Sequence, residues 1–286
     1  MGVEAVFCRG GTFPRQRKVG GKVPQMGFNF SIEMRIKSIG ISDRGRVRAR
    51  NEDSFFNDDD VRLYIVADGM GGHVGGDVAS KMAVEVIRDF IINSHLVKVD
   101  NGKDYDSRLN AEVEKILVSA LRTANSKIYE ESARRTEYRG MGTTTTTALV
   151  RNKQLTVAHV GDSRAYLVRD GMIRQVTEDH SWVNEQVKAG FITTEEARNH
   201  RFKNVITRSL GHEKDIQVDI VQLDLKEGDK FLLCSDGLSN LVSDAEIRKT
   251  VETLDMEKAL EELVKLANER GGFDNITAVL IKVVDN

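Results

Sequence analysis

The sequence predicts an α+β fold in which two antiparallel sheets pack together beneath covering helices. Three observations carry this reading. Strand-like runs recur at about 35–42, 61–67, 143–150, 154–160, 164–169, 172–177, 216–223, 230–235 and 276–284. Several of them are close enough for hairpin connections, and Asp170-Gly171 is a type I′ turn signal. Helical periodicity comes in two sequential pairs rather than in regular alternation with strands, which argues against a βαβ architecture.

Taken in order, the segment before the first strand is distinct. Residues 1–33 hold both prolines of the chain, Pro14 and Pro24, and six glycines. Arg9, Arg15, Arg17, Lys18 and Lys22 outnumber Glu4 and Glu33. The segment has no hydrophobic periodicity and is expected to be disordered, with the ordered domain spanning 34–286. It has no apolar stretch of signal-peptide type. Met1-Gly2 would suit myristoylation, but Val6 stands where Ser or Thr is needed.

The first helical pair follows the 61–67 strand. Ala79, Met82, Ala83, Val86, Ile87 and Phe90 share one face. Val113, Ile116, Leu117, Ala120, Leu121, Ala124 and Ile128 mark a longer amphipathic helix. The five threonines Thr143 to Thr147 lead into Ala148-Leu149-Val150 and read as a β-branched strand rather than a phosphorylated tract. In the second pair, Ser243 or Asp244 caps a helix to about Thr250. Asp255 caps another, with Ala259, Leu260, Leu263 and Leu266 facing inward.

Composition narrows the function. The chain has 286 residues, 40% of them hydrophobic, and a formal charge of −2. There is no basic excess for nucleic acid or an anionic membrane, and no apolar run reaches the length of a membrane span. The two cysteines, Cys8 and Cys234, make no disulfide framework, so a cytoplasmic location is expected.

Four aspartates stand at the ends of apolar runs. Leu63 to Ala67 leads into Asp68-Gly69, Leu155 to Val160 into Gly161-Asp162, and Phe231 to Ser235 into Asp236-Gly237. Asp274 precedes the run Ile276 to Val284. Carboxylates delivered to one place repel unless cations neutralise them, and hard oxygen ligands suit Mg²⁺ or Mn²⁺. In the Asp68-Gly69-Met70-Gly71-Gly72-His73 loop, Val74 spoils a dinucleotide fingerprint and no lysine makes a P-loop. A phosphoaspartate transferase would want an aspartate where Met70 stands. Asp68 is then a metal ligand, Gly69 lets its own carbonyl approach a cation, and His73 could protonate a leaving group. The six histidines show no paired spacing for zinc. The run Asp43 to Asp53 interleaves four arginines with acidic residues; it is either a solvated loop or an anion-binding arginine beside further metal carboxylates.

Arg48…Asn51-Glu52-Asp53, Asp68-Gly69-Met70-Gly71-Gly72-His73, Gly142-Thr143-Thr144, Gly161-Asp162-Ser163-Arg164, Cys234-Ser235-Asp236-Gly237-Leu238 and Asp274-Asn275 resemble, in order, the motif set of the metal-dependent type 2C (PPM) protein serine/threonine phosphatases, in their bacterial branch. The resemblance runs from about 36 to 284 and implies a four-layer αββα sandwich with two Mn²⁺ or Mg²⁺ ions between the sheets. It implies that Asp68 bridges both ions while Gly69 contributes its carbonyl, that Asp236 and Asp274 complete the ligands of the first ion, and that Glu52 and Asp53 support the second ion, often through water. Asp162 matches an aspartate that holds a third ion, Arg48 a phosphate-binding arginine, and 181–211 a flap beside the site. Eukaryotic relatives carry histidine directly after the Asp-Gly pair; here Met70 takes that place and His73 comes later. The implied activity is hydrolysis of phosphoserine and phosphothreonine by direct attack of a metal-activated water. Expected partners are phosphoproteins, a cognate bacterial serine/threonine kinase and its substrates, with no nucleic acid, no membrane and a monomeric state. A small-molecule metal phosphoesterase and an inactive regulatory binding module are the alternatives.

Overall fold

The computed structural model describes residues 6–9, 34–71, 75–94, 107–151 and 153–284. Its strands are β1 (Val6–Arg9), β2 (Arg35–Asp43), β3 (Asp53–Asp58), β4 (Leu63–Met70), β5 (Gly142–Thr143), β6 (Thr145–Arg151), β7 (Gln154–Val160), β8 (Arg164–Arg169), β9 (Met172–Gln175), β10 (Asp219–Asp224), β11 (Lys230–Cys234) and β12 (Ile276–Val284). The helices are α1 (Gly76–Asn93), α2 (Ser107–Arg134), α3 (Trp182–Lys188), α4 (Thr194–Arg198), α5 (Asp236–Ser239), α6 (Asp244–Thr253) and α7 (Met256–Glu269). One sheet has the order β1-β2-β12-β11-β8-β9, the other β10-β7-β6-β4-β3 with β5 paired to β4.

Alternation along each strand builds the four layers. In β4, Leu63, Ile65 and Ala67 face α1 and α2, where they meet Ala83, Ile87, Leu117 and Leu121. Tyr64 and Val66 face the other way and pack between the sheets with Phe231, Leu233, Val279 and Ile281. On the far side, Leu232, Cys234, Ala278 and Leu280 lie under α6 and α7 through Ile247, Val251, Leu260 and Leu263. The order is therefore helices, sheet, sheet, helices, as the sequence predicts.

Local chemistry sets the boundaries. Ser243 opens α6 with a capping box to Glu246, and Asp255 caps α7 by accepting from the Lys258 amide at 3.1 Å. Asp170 and Gly171 both have positive φ, 52° and 73°, as a type I′ turn requires.

Several elements depart from expectation, three of them at the site or the chain's start. β4 runs on to Met70, so Asp68 and Gly69 lie within the strand rather than beyond it. β3 was not expected, because Asp53-Ser54-Phe55-Phe56-Asn57-Asp58 lacks clean alternation and follows a charged run. Within residues 1–33, expected to be disordered, Val6–Arg9 forms an edge strand antiparallel to Ile39–Ser42 of β2. The unpaired backbone of an edge strand such as β2 is a template for added pairing. The rest of that segment lies outside the described residues.

Candidate metal centre

Asp68 is held by its backbone. Its N–H donates to Thr144 Oγ1 at 3.0 Å, and its carbonyl accepts from the Thr144 amide at 2.9 Å and Thr143 Oγ1 at 2.8 Å. Thr144 Oγ1 also meets Ser163 Oγ at 2.7 Å, in the segment carrying Asp162. The threonine tract is thus a buried hydroxyl scaffold, and the strand predicted over 143–150 breaks at Thr144 so that this residue can grip Asp68. Gly161, at φ 114°, presses so closely on Thr144 that a Cβ there would sit 2.5 Å from the threonine Cβ. Gly69 is equally crowded, since a Cβ would lie 2.1 Å from the Gly76 carbonyl oxygen and 2.5 Å from that of Glu52. Its glycine is required for packing as well as for any exposure of its own carbonyl.

Asp53 lies directly opposite Asp68 in the β3–β4 ladder, and its Oδ2 accepts from Ser235 Oγ at 2.8 Å. Ser235 is also fixed by the Thr277 amide at 2.9 Å, and the next residue, Asp236, begins α5. Asn240 Nδ2 donates to Asp236 Oδ2 at 3.0 Å. Asp274 Oδ2 accepts from an Arg48 guanidinium nitrogen at 2.7 Å, on the rim. Glu52, next in the chain to Asp53, has different surroundings, with Arg48, Asp77 and Asp274 as its charged neighbours.

The carboxylates lie near enough to raise one another's proton affinity. Burial, with Asp236 and Asp274 nearby, pushes the Asp53 carboxyl up to about 7. Burial and Asp274 raise Asp236 to about 6. Asp68 is driven well above the carboxylate range by burial and then by Asp53, Asp236, Asp162 and Asp274. Asp162 rises likewise, through burial, Asp236 and Asp179. Glu52 is raised by burial, with Arg48 acting in the opposite direction.

Among the described residues, no group of three His, Cys, Asp or Glu side chains is placed closely enough to hold one metal ion by itself. The donor set nevertheless fits divalent cations. The Oδ1 atoms of Asp162, Asp236 and Asp77 are buried and accept no hydrogen bond. Buried carboxylate oxygens without donors are costly, and a hard cation is the partner that suits them. The structure therefore brings Asp53, Asp68, Asp162, Asp236 and Asp274 into one cluster, with Glu52 and Arg48 at its edge. His73 lies outside the described residues.

Several contributors were given no role by the sequence reading, although Asn275 and Arg164 stand within its motifs. Asn275 accepts from the Glu52 amide at 2.8 Å and donates to the carbonyls of Arg44 and Arg50, both at 2.9 Å, tying the arginine-rich loop to β12. Asp77 was missed because it reads as an ordinary first-turn acid of α1. Arg164 forks onto Asp179 at 2.6–3.1 Å behind Asp162. His180 accepts from the Gly161 amide at 3.0 Å and lies 3.1 Å from Asp219, which also pairs with Arg208 at 2.7 Å. These contacts root residues 181–211, including α3 and α4, against the site. A cavity of about 800 Å³ opens there, between Asn184, Arg198, Asn240 and Asp244, and reaches Asp162 and Asp236. Cys234 is no rival nucleophile: burial pushes its thiol up to about 12.

A family model described as protein phosphatase 2C matches residues 43–281. The serine/threonine phosphatase stp of Listeria monocytogenes serotype 4b (strain F2365) is 42% identical over 248 residues, covering 84% of this chain and 93% of that protein. The crystal structure of the Mycobacterium tuberculosis serine/threonine phosphatase PstP/Ppp superposes with a TM-score of 0.78 at 36% identity, over 87% of this chain and 99% of that one. The PstP catalytic domain in complex with two manganese ions gives 0.76 at 36% identity, over 88% and 100%. With the family model spanning most of its length and bacterial relatives matched nearly end to end, the chain belongs to the protein phosphatase 2C family of metal-dependent serine/threonine phosphatases.

Proposed function

We propose that this chain dephosphorylates phosphoserine and phosphothreonine in cytoplasmic proteins, as a monomer, and that targets of a cognate bacterial serine/threonine kinase are its substrates. The observation that carries the reading is the meeting of five aspartates from separate segments beside an exposed arginine. Asp68, Asp236 and Asp274, with the Gly69 carbonyl, would hold two Mn²⁺ or Mg²⁺ ions; Glu52 and Asp53 would support them and Asp162 a third. When bound, such ions neutralise the phosphoryl charge and acidify water. The chain's own residues do the positioning. Arg48, already turned to the rim carboxylate of Asp274, offers a guanidinium fork to the substrate phosphate. His73 follows Gly71-Gly72 in sequence and supplies a group able to protonate the leaving hydroxyl. Among the described residues no helix is long and apolar enough to cross a membrane.

The test compares a phosphothreonine peptide with nucleotides and sugar phosphates, each with Mn²⁺ and after chelation. Metal-dependent turnover favouring the peptide is expected. Preference for small phosphate esters would move the assignment to a small-molecule phosphoesterase, and inactivity toward all of them would make the chain a binding module.

A further inference from the structure

Two apolar side chains adjacent in sequence to the Arg48–Asp274 pair stand exposed. Val47 precedes Arg48 and Phe273 precedes Asp274, and each is 63% exposed. Isolated exposed apolar residues are common and need no explanation. The loops that carry these two are tied together. The Arg46 and Val47 amides both donate to the Gly272 carbonyl, at 2.8 and 3.2 Å, which clamps one loop to the other beside Phe273. Gly45 is packed against the Asp274 carbonyl so tightly that a Cβ would lie 2.1 Å from its oxygen. The Phe273 ring is laid over Gly271, where a Cβ would fall 2.4–2.9 Å from three ring atoms. A ring held in place loses little freedom when something binds to it. Exposed Arg44, Arg46 and Arg50 surround the pair with positive charge.

We propose that Val47 and Phe273 form an apolar lip that seats an apolar side chain of the substrate polypeptide within a few residues of its phosphorylated position. The inference rests on the phosphatase reading, and it adds a sequence preference to it. The occupant follows from position and charge. The lip is continuous with the Arg48 rim where a phosphate is to be bound, and its cationic surround suits a phosphorylated or acidic segment better than a second copy of this arginine-bearing loop.

The experiment uses the full chain with Mn²⁺ and matched phosphothreonine peptides carrying Leu, Ser or Lys at the flanking positions, with an aryl phosphate as the measure of chemistry without a peptide. Wild-type kcat/KM should favour the Leu peptide over the Ser peptide by roughly three- to tenfold, the scale expected from partial burial of one leucine. In Val47→Ser/Phe273→Ser this preference, normalised to aryl phosphate turnover, should vanish. Met172→Ser, at an exposed apolar residue on the β8–β9 hairpin, should keep it. Both altered residues are exposed, and circular dichroism verifies folding. Equal kcat/KM for the three peptides in the wild type, or a preference that persists in the double variant, overturns the lip while leaving the phosphatase reading intact. A dimer in the wild type that the double variant dissociates would assign the lip to self-association and overturn it too. Failure to hydrolyse any peptide removes the phosphatase reading and the lip together.

Discussion

Asp53 and Asp68 are direct cross-strand partners on β3 and β4, so the ladder itself sets two carboxylates side by side. Like charges opposite one another destabilise a pair of strands. This fixed repulsion makes the metal-free protein sensitive to pH. Asp53 is raised to about 7 in the fold against an ordinary value of 3.8, and Asp68 and Asp162 are raised as well. The native state therefore binds protons more tightly than the unfolded chain. Their contribution to stability is fully present below the ordinary carboxylate range and is lost as pH rises through the folded values. The chelated protein should melt at least about 4 °C higher at pH 5 than at pH 8. Mn²⁺ should stabilise it most at the higher pH, and Asp53→Asn should flatten the dependence. Thermal melts across pH, with and without metal, check this; a chelated protein more stable at pH 8 than at pH 5 would contradict it.

Asp236 separates folding from chemistry. It is half-buried at the start of α5, with its Oδ1 buried and unpartnered. Asp236→Asn removes a negative charge from a self-repelling cluster, so the metal-free fold should be kept or slightly stabilised. Mn²⁺ affinity should fall at least about 100-fold, beyond the range seen when only an outer partner of a metal ligand is removed. Phosphatase activity should be nearly lost in this variant, and in the wild type EDTA should abolish it and Mn²⁺ restore it. Calorimetric titration of Mn²⁺, together with circular dichroism, decides the point. Full activity in the variant, or turnover after exhaustive chelation, would sink the metal mechanism.

Arg48 is half exposed and its pair is with Asp274, so its loss should spare the fold. Arg48→Ala removes a charged contact to phosphate worth roughly 1.5–3 kcal/mol, which is a loss of roughly ten- to hundredfold in kcat/KM. Arg48→Lys should recover only part of this, because an ammonium cannot reproduce the fork. Unchanged kinetics in the alanine variant would reduce Arg48 to a solvated surface charge.

Residues 1–33 are proposed to be dispensable for the catalytic domain. The four residues described there, Val6–Arg9, join the fold as the edge strand β1 along β2. A chain beginning at Met34 should keep its turnover with Mn²⁺. Any loss of melting temperature should be small, because β2 remains paired to β12 along its whole length. A large fall in either quantity would show that the edge strand is integral to the domain.

The sequence made the fold legible where strands are buried on both faces. Leu63 to Ala67 and Ile276 to Val284 read as strands because both of their faces are covered, by helices on one side and the second sheet on the other. β3 was illegible for the opposite reason: its acidic ends belong to the site and to a turn, and Phe55 and Phe56 sit side by side on opposite faces. Convergence of Asp68, Asp236 and Asp274 could be inferred from their places at the ends of apolar runs. The partnership of Asp53 with Ser235, 182 positions away, could not, since register between distant segments leaves no local signal.

Asn275 is the sharpest instance of such a hidden relationship. Its side chain is buried, and all three of its hydrogen bonds go to the backbone of the loop that carries Arg48 and Glu52. The loop also carries four arginines, whose mutual repulsion favours splaying it into solvent. Asn275→Ala leaves one amide and two carbonyls without their partner, and each unsatisfied buried group costs roughly 1–3 kcal/mol. Water reaching the rim should relieve part of this, so stability is expected to fall by roughly 2–4 kcal/mol in total. The kinetic consequence should exceed what stability alone predicts. With Arg48 no longer held over Asp274, KM for a phosphopeptide should rise by roughly tenfold in the folded fraction, while Mn²⁺ affinity at Asp68 and Asp236 changes much less. Asn275→Asp keeps an oxygen to accept from the Glu52 amide but exchanges the donor NH₂ for a second oxygen facing the Arg44 and Arg50 carbonyls, and should resemble alanine rather than the wild type. Denaturant melts paired with steady-state kinetics well below the melting temperature separate the two effects. An Asn275→Ala enzyme that loses stability but keeps wild-type KM would show that the staple supports the fold without placing the arginine.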